Sequence, residues 1–114
     1  MPYFLHQWRY KDPQIKAMVD RPQDRAETVK RTVERFNGKL HRFYFAFGDY
    51  DGVAIAEFPD NKSSAACLMT IVGAGGLESV KTTVLLTTQE ASEAMELAHD
   101  SIGEYELPSG RSGL

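Results

Sequence analysis

Cysteine is almost missing from this sequence. Cys67 is its only one, which rules out an intrachain disulfide and any zinc site built on several cysteines. A surplus of charge is missing as well: 13 Lys and Arg stand against 16 Asp and Glu, a formal net charge of −3. Such a chain exerts no long-range pull on phosphate backbones or anionic lipid, so neither nucleic acid nor membrane is expected as a partner. Long apolar runs are absent too. The longest uncharged stretch, residues 63–77, is interrupted by glycines, and a membrane span needs about twenty largely apolar residues. Met1-Pro2-Tyr3-Phe4 carries neither the basic nor the apolar part of a signal peptide. A cytoplasmic protein is expected.

What is present suits one folded domain. Of 114 residues, 42% are hydrophobic and 25% charged, and a chain of this length buries roughly two thirds of the surface that it exposes when unfolded. Cys67 sits among Ala65, Ala66, Leu68 and Met69 and reads as a buried, inert thiol. Residues 1–103 form the expected domain. Residues 104–114 are polar and contain Pro-Ser-Gly-Arg-Ser-Gly, which reads as a flexible tail or a strap across a neighbouring subunit.

The pattern of apolar residues sets the elements. Residues 3–10 alternate as a strand with Phe4, His6, Trp8 and Tyr10 on one face. Asp12-Pro13 starts a short helix with Ile15, Met18 and Val19 as its stripe. Arg21-Pro22 breaks it, and a longer helix follows in which Ala26, Val29, Val33 and Phe36 face the core, with Gly38 as its left-handed end. Its charged face, including Arg25, reads as solvated surface. Residues 39–47 and 53–58 are strands joined by a hairpin at 48–52. Asp60 caps another helix with Ala65, Leu68, Met69 and Val72 as its stripe, ended by Gly73-Ala74-Gly75-Gly76. A strand at 80–87 then leads into a capping box, Thr87 with Glu90 three residues on, for a last helix bearing Ala91, Ala94, Met95, Ala98 and Ile102 on one side. Gly103 closes it.

Strand, helix, strand, strand, helix, strand is the ferredoxin-like α+β order, with helices on one face of a four-stranded antiparallel sheet and an additional C-terminal helix. The second face then needs an occupant. RNA-recognition domains use the third strand of this topology, with a basic residue, glycine and stacking aromatics. Here that stretch is Asp51-Gly52-Val53-Ala54-Ile55-Ala56-Glu57-Phe58, acid in place of base and aliphatics in place of aromatics. Val53 and Ile55 suit a protein interface better, and a homodimer or higher homo-oligomer with Val53, Ile55 and Glu57 in the interface is expected.

Gly48, Tyr50-Asp51, Val53, Glu57 and Pro59-Asp60, with Phe36-Asn37-Gly38-Lys39-Leu40 and Thr82-Thr83 around them, resemble the GYD-domain family. The resemblance spans most of residues 3–88. It implies a dimeric α+β barrel in which two sheets face each other, and it brings no assigned activity and no catalytic residue. The chain departs from the family's pattern at Lys11-Asp12-Pro13-Gln14, where that pattern has Thr-x-x-Gly.

Two residues are candidates for catalysis. His6 shares a face with Phe4, Trp8 and Tyr10 and could act as general base in a crevice between sheet and helices; the alternative, a hydrogen-bonded core or interface histidine, is favoured. Glu57 is a carboxylate on an apolar face, either a site residue or, as favoured here, one paired with Arg9 or Arg42 across a dimer. The expected ligand contacts are His6, Trp8, Tyr44, Tyr50, Asp51 and Glu57. Gly48, Asp51 and Gly52 also suit a tight turn, and the aromatic series from Phe43 to Phe47 reads as core. Glu96 and His99 show the Glu-x-x-His spacing of di-iron bundles without its second copy. Gly73-Ala74-Gly75-Gly76 follows a helix, the reverse of a phosphate loop. No metal and no cofactor are expected. Two functions stay open: a homo-oligomeric small-molecule-binding or accessory subunit, and a cofactor-independent enzyme of isomerase or oxygenase type.

Overall fold

The computed structural model describes residues 1–110. Its elements are β1 (Tyr3–Tyr10), α1 (Asp12–Asp20), α2 (Arg25–Arg35), β2 (Lys39–Phe45), β3 (Gly52–Glu57), α3 (Asn61–Gly73), β4 (Leu77–Leu85) and α4 (Thr88–Ser101), followed by a 3₁₀ turn, Ile102–Glu104. One antiparallel sheet carries the strands in the order β2-β3-β1-β4. This is the α+β, ferredoxin-like arrangement, with α1 and α2 as two pieces of the first crossover.

Alternation along β1 and β3 divides the sheet into two faces. Phe4 and Trp8 from β1 and Ala54 and Ala56 from β3 are buried against the helices. Leu5, Gln7, Val53, Ile55 and Glu57 take the open face and are half-buried. The core proper is Phe4, Val33, Ala56, Phe58 and Cys67, with Val29, Phe36, Leu40 and Ile71 packed on it. The small side chains of Ala54 and Ala56 let α2 and α3 approach the sheet. Phe58 is 1% exposed, and its N–H donates to the Pro2 carbonyl at 3.1 Å, so the chain start is tied beside the core.

β2 contains a bulge. Leu40 pairs with Ala56 and Arg42 with Ile55, leaving His41 as the extra residue. The bulge lets Leu40 and Phe43, three residues apart, both turn toward the helix side.

Several elements differ from the apolar pattern. On α3 the inward residues are Ser64, Cys67, Leu68 and Ile71, while Ala65, Met69 and Val72 face outward. Ser64 takes a core position that a count of apolar residues passes over, and the stripe is displaced as a result. On α1 only Met18 is half-buried, and Ile15 and Val19 are exposed. Helix α2 ends through Asn37, which adopts φ 60°. Asn tolerates the left-handed conformation. Gly38 serves close packing instead, since a Cβ there would lie 2.7 Å from the Phe58 ring. Strand β2 stops at Phe45, leaving Phe47 fully exposed, and β4 begins and ends earlier than residues 80–87.

The capping box of α4 is formed as expected. Glu90 N–H donates to Thr87 Oγ1 and Thr87 N–H to Glu90 Oε1, each at 3.0 Å. The helix nevertheless buries no residue. Of its stripe only Ala91 is half-buried, while Ala94, Met95, Ala98 and Ile102 are exposed, and α4 projects as an arm. The described chain measures 60 × 30 × 23 Å with a radius of gyration of 18.7 Å, against about 13 Å for a globular chain of similar length. Of the expected tail at 104–114, Glu104 belongs to the 3₁₀ turn, and residues 111–114 lie outside the described residues.

Candidate ligand-binding site

A chamber of about 490 Å³ lies between the sheet and α1, α2 and α3. Its size falls in the range of small-molecule pockets. The sheet supplies His6, Trp8, Ala54 and Val80; α3 supplies Ser64 and Cys67; α1 and α2 supply Gln14, Met18, Arg25 and Val29. Apolar walls with a few polar groups are the general make-up of a ligand pocket.

Trp8 is held tightly. Its ring centroid is 5.3 Å from that of Phe43 and 6.3 Å from that of Tyr10, the latter edge-on. Beneath it lies Gly52, where a Cβ would be 2.3 Å from the indole. Gly52 is therefore needed for close approach rather than for the turn. Asp51 fixes the same end of β1: its N–H donates to Trp8 O at 2.8 Å, and its carboxylate accepts from Tyr10 N–H at 2.9 Å. Arg9 donates to the Asp49 carbonyl at 2.9 Å and that of Gly48 at 3.3 Å. The hairpin is thus clamped onto β1.

His6 lies two residues from Trp8 on the same face. Its Nδ1 is 3.0 Å from Thr82 Oγ1 on β4, and it stacks on Phe4 at 6.2 Å. Burial holds its pKa below the usual histidine value, so the ring is neutral at pH 7. If Nδ1–H donates to Thr82, Nε2 keeps the lone pair. Cys67 is buried with its thiol pushed up to about 11 by desolvation. A thiol in that state is not a nucleophile near neutral pH.

The remaining expected contacts are spread over the molecule. His6 and Trp8 meet in the chamber. Tyr50 and Asp51 are at the hairpin, where Asp51 bonds to the backbone. Tyr44 and Glu57 do not line the chamber but lie on the open face, Tyr44 exposed and Glu57 half-buried. Glu57 pairs within the chain: its Oε1 is 2.9 Å from His41 Nε2. His41, bulged out toward it, also stacks on Tyr3 at 5.1 Å. The pairing of Glu57 with Arg9 or Arg42 expected across a dimer is a contact between two copies, separate from this one within the chain.

Arg21, Gln23 and Arg25 were not among the sequence candidates, yet they line the chamber. Arg21-Pro22 reads as a helix break, and Arg25 as one charge among many on a solvated face. The commitments of their neighbours become visible only in the fold. Asp20 accepts from Lys16 Nζ at 2.6 Å, and Asp24 caps α2 through Glu27 N–H.

The GYD domain family model matches residues 4–95. The chain belongs to the GYD family. The crystal structure of TTHA0845 from Thermus thermophilus is similar to this GYD chain at a TM-score of 0.54 and 16% identity, over 77% of the present chain and 96% of that one. At that identity the likeness is one of fold. A search of curated proteins found no match.

Proposed function

We propose that this GYD chain is a homo-oligomeric small-molecule-binding or accessory subunit of the cytoplasm, whose ligand enters the chamber between sheet and helices. The observation that carries the reading is the chamber itself, an apolar space closed at the sheet by the clamped indole of Trp8. Association is supported by the half-buried aliphatic side chains of Val53 and Ile55 on the open face and by the exposed Met95 and Leu97 of the α4 arm. Face-to-face sheets would make a dimeric α+β barrel with Val53, Ile55 and Glu57 inside it. No cofactor enters this reading.

Trp8 is the only tryptophan of the sequence and reports on the chamber directly. Titration with octanol or octanamide should give a saturable change in its emission. Ala17→Phe, placed on the chamber-facing part of α1 where Ala17 itself is exposed, should abolish that change. Binding that survives Ala17→Phe unaltered would put the ligand elsewhere.

The second reading is a cofactor-independent isomerase or oxygenase with His6 as base. It rests on the neutral ring and the hydrogen bond between its Nδ1 and Thr82 Oγ1. Glu57, on the far face, has no part in it. A reaction lost in His6→Asn with binding retained would favour it.

A further inference from the structure

We infer that the chamber takes a free monocarboxylate with an apolar body, its carboxylate held at the mouth by Arg21 and Arg25. The inference rests on the small-molecule reading of the chamber and adds the class of ligand.

The charge lining the chamber is of one sign. Arg21 and Arg25 line it, and no aspartate or glutamate does. His6, the other titratable base there, is kept neutral by burial. Two acids are adjacent to these arginines in sequence. Both are committed elsewhere: Asp20 to Lys16 within α1 and Asp24 to the first turn of α2. The side-chain pairs of the described residues that involve an acid and a basic group, Lys16 with Asp20 and His41 with Glu57, take up neither arginine.

The arginines are also partly arranged. Arg25 is half-buried, and its Nη1 donates to Gln23 Oε1 at 3.0 Å. Gln23 Nε2 donates in turn to the Arg21 carbonyl at 3.2 Å. This relay braces the segment between α1 and α2, while the rest of the Arg25 fork is left for another acceptor. A planar carboxylate matches the guanidinium fork with two parallel hydrogen bonds. Behind the mouth the walls are Val29, Met18, Leu68 and Ile71, which suit an alkyl or aryl body and reject a second charge.

The test compares octanoate with octanol, equal in body and different in head, by calorimetry and Trp8 emission on the full chain. Octanoate should bind about tenfold tighter than octanol. The double variant Arg21→Gln/Arg25→Gln should bring octanoate down to the affinity of octanol, with thermal unfolding confirming that the variant is folded. Equal binding of the two probes by the unaltered protein would overturn the inference and leave the chamber reading standing. A preference that persists in the double variant would overturn it as well. Failure of both probes to bind would remove the chamber reading, and the inference with it.

Discussion

Gly52 works by having no side chain. The indole of Trp8 occupies the space a Cβ would need, and neither β1 nor β3 can move apart without breaking the ladder between them. Gly52→Ala should therefore destabilise the protein by about 1–3 kcal/mol, as overpacking does, read as a lower midpoint in urea and altered Trp8 emission. His6 ties stability to pH. In the unfolded chain a histidine takes up its proton near pH 6.5, whereas burial keeps folded His6 neutral to lower pH. The unfolded state then binds the extra proton first. Stability from this site is present in full above about pH 6.5 and falls as pH drops below it, until folded His6 also titrates. His6→Asn should flatten that part of the stability curve in denaturant titrations. The capping carboxylates Asp60 and Glu90, whose pKa values are lowered by the amides that they accept from, lose their contribution in a separate window at more acid pH. Cys67 should resist alkylation at pH 8 in the folded protein and react once urea unfolds it, because its thiolate is desolvated.

At the scale of elements, period and caps were legible where local chemistry decides. Asp60 and Thr87 cap the helices expected of them. β1 presents Phe4, His6 and Trp8 to one side, as alternation requires. What could not be read is set by contacts distant in sequence. Ser64 is buried although polar, and Gly38 is glycine because Phe58 approaches it. Asn37 rather than Gly38 makes the left-handed turn. The site divides in the same way. His6 and Trp8 were legible from one strand, whereas Arg21 and Arg25 come to the chamber through the break between two helices, and His41 meets Glu57 only through a bulge. The α4 arm allows a test that isolates one element. Thr87→Ala removes the cap of a helix that buries no residue, so faster amide exchange should appear along α4 while the sheet amides remain protected. Loss of protection throughout the molecule would mean that α4 supports the body after all.

For the whole molecule, the question is what covers the surfaces left apolar. Ile55→Arg places a charge in the middle of the open face, where Ile55 pairs with Leu5 and Arg42 on the neighbouring strands. If sheets associate face to face, sedimentation at micromolar concentration should show the variant shifted to the monomer while its circular dichroism stays unchanged. The projection of α4 bears on the same assembly in a different way. A fourteen-residue helix reaches about 21 Å and is joined to β4 through Leu86 and Thr87 alone. An arm of that reach imposes a choice of symmetry. Laid on a neighbour that returns the same contact, it closes a two-fold pair of fixed mass; passed onward from copy to copy, it generates a ring or an open filament. Should copies associate through this arm, the direction taken by two residues between β4 and α4 would set whether the assembly has a finite size.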